Sequence, residues 1–179
     1  MYCNAVYQNN TAITLEFSLQ KIMKVGFLML FLGFNVHCIG QGNDLVKLDR
    51  LQQLIQSEKE HIQVINFWAT WCAPCIKELP LFEKINMDRK DVHVRLISLD
   101  MDLDPDPEKV RKFVIRKKIK SEVLILDEKN PNQWIDKLDK SWSGALPATL
   151  VVNNKSGKRK FVERELHEGE IEKLILDVQ

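Results

Sequence analysis

The stretch VINFWATWCAPC, residues 64–75, decides the fold of this chain. Its first five residues form a short apolar run, which predicts a buried strand. Residues 76–87 carry apolar side chains at helical spacing and predict a helix. Cys72 and Cys75 therefore lie where a strand passes into a helix, with two residues between them.

This position favours redox chemistry for the cysteine pair. The free N–H groups and the dipole at a helix N-terminus stabilise an anion. We therefore expect Cys72 to have a lowered thiol pKa, within the roughly 3.5–7.5 span of activated thiols. Cys75 lies one turn further on, close enough to form a disulfide. A disulfide that closes so short a loop adds little stability, so we interpret the pair as a redox-active dithiol rather than a structural bond.

The composition fits one ordinary globular domain with a leader before it. The chain has 179 residues, of which 45% are hydrophobic and 28% are charged. The formal net charge is +1, which produces no strong field to attract a nucleic acid. We therefore expect no nucleic-acid partner.

Residues 1–42 have the features of a secretory signal peptide. Lys21 and Lys24 precede an apolar stretch, residues 25–34, that is short for a membrane span. This pattern begins better at Met23 than at the first residue of the chain. The sequence therefore predicts export to the periplasm or another extracytoplasmic compartment.

Two alternatives keep the protein at the membrane. The leader can remain as an uncleaved anchor, or Cys38 can carry a lipid, although the bulky His37 before it is unusual for such a site. Cleavage at the end of the leader would leave residues 43–179 with Cys72 and Cys75 as the only cysteines.

Strands alternate with helices along residues 43–179. The spacing of apolar residues predicts helices at 48–55, 76–87, 107–114 and 171–178, a short helix at 132–138, strands at 64–68, 92–99 and 122–126, and a hairpin formed by 148–152 and 159–163. An acidic, proline-containing loop is expected at 100–107. This order indicates an α/β fold with a mixed central sheet and helices on both faces.

The chain resembles the thioredoxin superfamily, and more narrowly the exported TlpA/ResA-like thiol-disulfide oxidoreductases. The resemblance rests on NFWATWCAPC at 66–75, ELP at 78–80 and GALPAT at 144–149, and it extends from about residue 45 to the C-terminus. It implies a thioredoxin-like fold and disulfide exchange with no cofactor beyond the dithiol. It also implies protein disulfides as substrates and a membrane-bound thiol as the electron donor.

The resemblance assigns roles to residues around the dithiol. Pro147 would be a cis-proline beside the disulfide, and the backbone of Leu146 would pair with an extended substrate. Trp71 would form part of the apolar rim around Cys72, with Leu146 opposite. The dipeptide between the cysteines, which contains Pro74, has no histidine to stabilise a thiolate strongly, and this favours a reductase over an oxidase.

Asn66 departs from the pattern of cytoplasmic thioredoxins. Those proteins place a buried aspartate at this position as the proton acceptor for the second cysteine. Exported relatives often have asparagine there, with an acid supplied after the next strand. Asp100 is the candidate for assisting Cys75 in this way; its alternative role is to cap a surface loop.

The expected reaction begins when the Cys72 thiolate attacks a disulfide of a partner protein, and it ends when Cys75 releases the reduced partner. One alternative is a non-catalytic thioredoxin-fold adaptor, or a protein that delivers thiols or metal. A zinc module is the other. Structural zinc takes four ligands, whereas the domain offers two cysteines and three histidines that look isolated in sequence, so no metal is expected; these histidines are His61, His93 and His167.

Overall fold

The computed structural model describes residues 44–179. The predicted leader at 1–42 and the lipidation candidate Cys38 lie outside the described residues and stay predictions. Among the helices that are described, none combines the length and apolarity needed to cross a bilayer.

The order of elements agrees with the sequence prediction. The strands are β1 (Leu45–Val46), β2 (Ile62–Trp68), β3 (Val92–Ser98), β4 (Glu122–Leu126), β5 (Ala148–Asn153) and β6 (Lys158–Val162), and the helices are α1 (Leu48–Ser57), α2 (Ala73–Asp88), α3 (Pro107–Lys117), α4 (Ile135–Leu138) and α5 (Glu170–Val178). Single turns of 3-10 helix occur at Asp100–Asp102 and Pro131–Gln133. The prediction missed β1, because two residues carry no readable periodicity.

The strands form one sheet in the order β1-β4-β3-β2-β5-β6. The first four of these strands are parallel, and β5 and β6 are antiparallel to their neighbours. All seven residues of β2 are buried, as expected for a central strand covered on both faces. The carboxyl ends of the parallel strands β2, β3 and β4 lie at the same end of the sheet. Open α/β sheets have their ligand-binding sites at this end.

Alternate residues of β2 point to opposite faces of the sheet and enter two separate hydrophobic clusters. Val64 and Trp68 pack on the side covered by α2, α3 and α5. Ile65 and Phe67 pack on the side of α1 and α4. The predicted mixed sheet with helices on both faces is therefore confirmed.

Candidate active site

Cys72 is the N-cap residue of α2. The backbone N–H of Cys75 donates to Cys72 Sγ at 3.3 Å, so the sulfur takes the place of a capping side-chain oxygen. Pro74 lies in the first turn, where its missing N–H costs no hydrogen bond. The local sequence therefore starts the helix directly beneath the first sulfur, as predicted.

Cys72 and Cys75 form a disulfide, with their Cα atoms 5.3 Å apart. Cys72 is 5% exposed, whereas Cys75 is 0% exposed. Of the two residues, only Cys72 has any exposed surface. This asymmetry fits an attacking cysteine and a resolving cysteine.

Trp71, which precedes Cys72, and Leu146 line one small cavity. Trp71 is 53% exposed, and the cavity has a volume of about 90 Å³, with Leu103 and Trp142 also in its wall. The peptide bond between Leu146 and Pro147 is cis. The cis peptide bond that the resemblance implies is present, while the positions of these residues beside the disulfide and their substrate-binding roles stay predictions.

Asn66 belongs to a buried hydrogen-bond network under the site. Its Nδ2 donates to Glu78 Oε1 at 2.8 Å and to Thr149 Oγ1 at 3.1 Å. The backbone N–H of Leu166 donates to Glu78 Oε2 at 2.7 Å. Glu78 is only 1% exposed, so a carboxyl group lies in the core, one turn of α2 after Cys75.

Burial raises the pKa of Glu78 to about 7, because the loss of solvent outweighs the hydrogen bonds from Leu166 and Asn66. Glu78 follows Cys75 by three residues and shares its face of the helix. A group that exchanges protons near neutral pH is therefore available on the helix that carries Cys75.

Sequence reasoning named Glu78 only as part of the ELP motif and gave it no role. A signal was present, because Glu78 shares the buried face of α2 with Cys75, Phe82 and Ile85. A charged residue on an apolar helix face calls for an explanation.

Asp100 holds the backbone just before the active-site loop. It is 3% exposed, and its two carboxylate oxygens accept from the backbone N–H of Thr70 at 3.2 and 3.0 Å. The Ser98 hydroxyl donates to the same carboxylate at 2.8 Å. These contacts anchor the residue that precedes Trp71, and the predicted assistance of Asp100 to Cys75 stays a prediction.

The sequence interpretation treated His61 and His93 as isolated residues, which is wrong. The pairing of β2 with β3 brings their ring centroids within 6.4 Å, and the Nδ1 atom of each lies within 3.5 Å of a Glu58 oxygen. Over residues 44–179, no group of three or more histidine, cysteine or acidic side chains has a geometry that could hold a metal ion.

The sheet, the disulfide at the start of α2 and the cis-proline before β5 together define a thioredoxin-like protein. The family model for thioredoxin matches residues 45–135, slightly more than half of the chain. The chain belongs to the thioredoxin family.

Individual relatives match over shorter lengths. A thioredoxin of Mycolicibacterium smegmatis is 35% identical over 52 residues, which cover 29% of this chain and 46% of that protein. The thiol-disulfide oxidoreductase ResA of Halalkalibacterium halodurans is 29% identical over 90 residues, which cover 50% of this chain and 46% of that protein. The chain thus spans less than half the length of these relatives.

Solved structures share the fold over more of the chain. A thioredoxin-related protein from Neisseria meningitidis serogroup B superimposes with a TM-score of 0.58 at 26% identity, covering 68% of this chain and 87% of that one. StoA from Bacillus subtilis gives a TM-score of 0.52 at 18% identity, covering 65% and 84%. The similarity to StoA, at 18% identity, supports a shared fold and nothing more.

Proposed function

We propose that this protein is a thiol-disulfide oxidoreductase that reduces disulfides of exported proteins through Cys72 and Cys75. The observation that carries the proposal is the disulfide at the N-terminus of α2, in which Cys72 is 5% exposed and Cys75 is fully buried. The membership in the thioredoxin family supports it.

The reaction transfers two electrons from the dithiol to the partner protein. The Cys72 thiolate attacks one sulfur of the partner disulfide, so a mixed disulfide forms and the other partner sulfur leaves as a thiolate. Cys75 then loses its proton and attacks Cys72 Sγ. This second step forms the Cys72–Cys75 disulfide and releases the second partner thiolate.

We propose that Glu78 accepts the proton that Cys75 loses. The carboxyl group is buried beneath the site, and its pKa of about 7 lets it accept a proton at neutral pH. The hydrogen bonds from Asn66 and Leu166 hold the carboxylate in place. Asn66 is neutral, so it orients the carboxyl group of Glu78 but cannot itself accept the proton.

The direction of electron flow is proposed to be reductive, with a membrane-bound thiol protein as the electron donor. The dipeptide Ala73–Pro74 contributes no charge to the helix N-terminus. Equilibration with glutathione redox buffers, with the disulfide fraction read by mass spectrometry, measures the potential. A value more oxidising than that of glutathione would reverse the assigned direction.

Export and membrane attachment are proposed from the leader. Fractionation of cells that express the full chain, with N-terminal sequencing of the product, distinguishes a cleaved leader, a retained anchor and a lipid on Cys38. A full-length product in the cytoplasm would contradict export.

The decisive test is reduction of insulin disulfides by the purified domain, residues 43–179, with dithiothreitol as electron donor. We expect Cys72→Ser to abolish activity and Cys75→Ser to accumulate mixed disulfides, visible on non-reducing gels and by mass spectrometry. Activity that survives Cys72→Ser would refute the mechanism. A wild-type protein that binds peptides without reducing them would favour the adaptor alternative.

A further inference from the structure

Glu163, the residue after β6, holds the segment that leads into Pro147. Its Oε1 accepts from the Ser143 backbone N–H at 3.1 Å, the Ser143 hydroxyl at 2.6 Å and the Ala145 backbone N–H at 2.7 Å. Gly144, between them, has a φ of +95°. This left-handed conformation favours glycine and turns the flanking N–H groups towards one anion.

Ala145 is held from its other side as well. Its carbonyl accepts from the indole N–H of Trp142 at 3.0 Å, and Trp142 is buried with its ring centroid 4.6 Å from that of Phe67. The backbone N–H of Ala145 is thus bonded to Glu163, which follows β6, and its carbonyl is bonded to Trp142 in the core. The next residue is Leu146, whose backbone is expected to pair with an extended substrate.

The charge on Glu163 matters for this arrangement. Burial raises the pKa of Glu163, but the hydrogen bonds from Ser143 and Ala145 outweigh it and leave the pKa below its ordinary value. The group is therefore an anion at neutral pH. Within residues 44–179, its hydrogen-bond partners are all in the segment 143–145, so its contacts serve that segment and not a wider network.

We propose that Glu163 is a positioning residue for client binding, where a client is the disulfide-bearing partner protein. Acting through Ser143 and Ala145, it holds the backbone of Leu146 in the orientation that pairs with an extended client segment. The inference rests on the proposed function, and it predicts that Glu163 affects extended protein clients but not small disulfides.

The test compares two substrates in Glu163→Ala and in the wild-type protein. One is a peptide with a disulfide in an extended segment, and the other is 5,5′-dithiobis(2-nitrobenzoic acid), which has no backbone to pair. We expect the KM for the peptide to rise about tenfold, as the loss of hydrogen bonds to a charged group implies. The kcat for the peptide, with dithiothreitol as electron donor, and the single-turnover rate at which the pre-reduced protein cleaves the small disulfide should not change. Glu163→Gln keeps the side-chain shape and one acceptor, and should give an intermediate KM.

The outcomes separate this inference from the proposed function. Glu168→Gln is the matched control. It changes an exposed carboxylate in the same loop between β6 and α5 and should not alter the kinetics with either substrate. A wild-type protein that reduces neither compound overturns both proposals. A wild-type protein that reduces both, with Glu163 variants that change both substrates equally or neither, overturns only the role of Glu163. If Glu163→Ala does not fold, Glu163→Gln carries the same comparison.

Discussion

This chain has Asn66 where cytoplasmic thioredoxins have a buried aspartate, and the buried carboxyl group next to it belongs to Glu78. Asn66 at that position cannot exchange a proton, but its amide donates to the Glu78 carboxylate at 2.8 Å. In the proposed mechanism the acid is therefore supplied by helix α2 and not by strand β2. Burial keeps its pKa near 7, where it can both take up and release a proton.

Replacing Glu78 by glutamine should slow the resolving step. The amide cannot accept the proton of Cys75, so the release of a chromogenic thiol from a Cys72 mixed disulfide should slow about a hundredfold at pH 7. In the wild-type protein this rate should rise as the pH increases through about 7, the pKa of Glu78. Stopped-flow measurement from pH 5 to 9 checks both expectations. Glu172→Gln, a control at a half-buried carboxylate on α5, should behave as wild type, and an unchanged pH profile in Glu78→Gln would remove Glu78 from the mechanism.

At the scale of elements, carboxylates hold three segments of backbone outside the helices and strands. Asp100 anchors Thr70 before the active-site loop. Glu78 anchors Leu166 after β6, and Glu163 anchors Ser143 and Ala145 before the cis-proline. A carboxylate can accept hydrogen bonds from several N–H groups at once. One side chain can therefore bond to all the free backbone N–H groups of a turn.

The variant Asp100→Asn should lower stability more than it lowers activity. Asparagine loses the charge and keeps only one acceptor oxygen, so the Thr70 N–H and the Ser98 hydroxyl no longer share a charged carboxylate with two acceptors. We expect a loss of about 1–3 kcal/mol in the free energy of unfolding, measured by urea denaturation. The rate of the resolving step should stay near that of the wild-type protein. A folded Asp100→Asn variant that resolves mixed disulfides as slowly as Glu78→Gln would instead confirm the sequence prediction that Asp100 assists Cys75.

At the scale of the whole molecule, two carboxyl groups act in opposite directions on the pH dependence of stability. Burial raises the pKa of Glu58, but hydrogen bonds from the Glu60 backbone and from His61 and His93 outweigh it and lower the pKa to about 2. Its contribution is complete above an unfolded pKa of about 4.5 and is lost as the pH falls towards 2. Glu78 has a pKa of about 7 in the folded protein, so the protonated form is favoured by folding and stability is lost as the pH rises from about 4.5 to 7.

The oxidised protein should therefore be most stable near pH 5, as judged by urea denaturation at pH 3, 5 and 8. Between pH 5 and 8 the wild-type protein should lose up to about 3 kcal/mol from Glu78. The variant Glu78→Gln should lose much less over the same interval, while the decline on the acid side, to which Glu58 contributes, should remain. Equal stability of the wild-type protein at pH 5 and pH 8 would contradict the raised pKa of Glu78.

Much of the fold could be predicted because its signals are local. The apolar run in β2, the proline that opens α3 and the turn between β5 and β6 each depend on a few neighbouring residues, and the structure agrees with each. Strand β1 carried no such signal. Its two residues are ordered by pairing with Ile125 and Leu126 of β4, which is a contact across most of the domain.

The amino-acid sequence alone establishes that the two cysteines lie at the start of a helix. A strand followed by a capped amphipathic helix is specified by residues that are close together along the chain. Only the tertiary structure decided which acid lies beneath them. The burial of Glu78 requires β2, β5 and the segment after β6 to converge on α2 from distant parts of the chain. The same holds for Glu163 and its loop, since a carboxylate finds its donors by position in space and not by spacing along the chain.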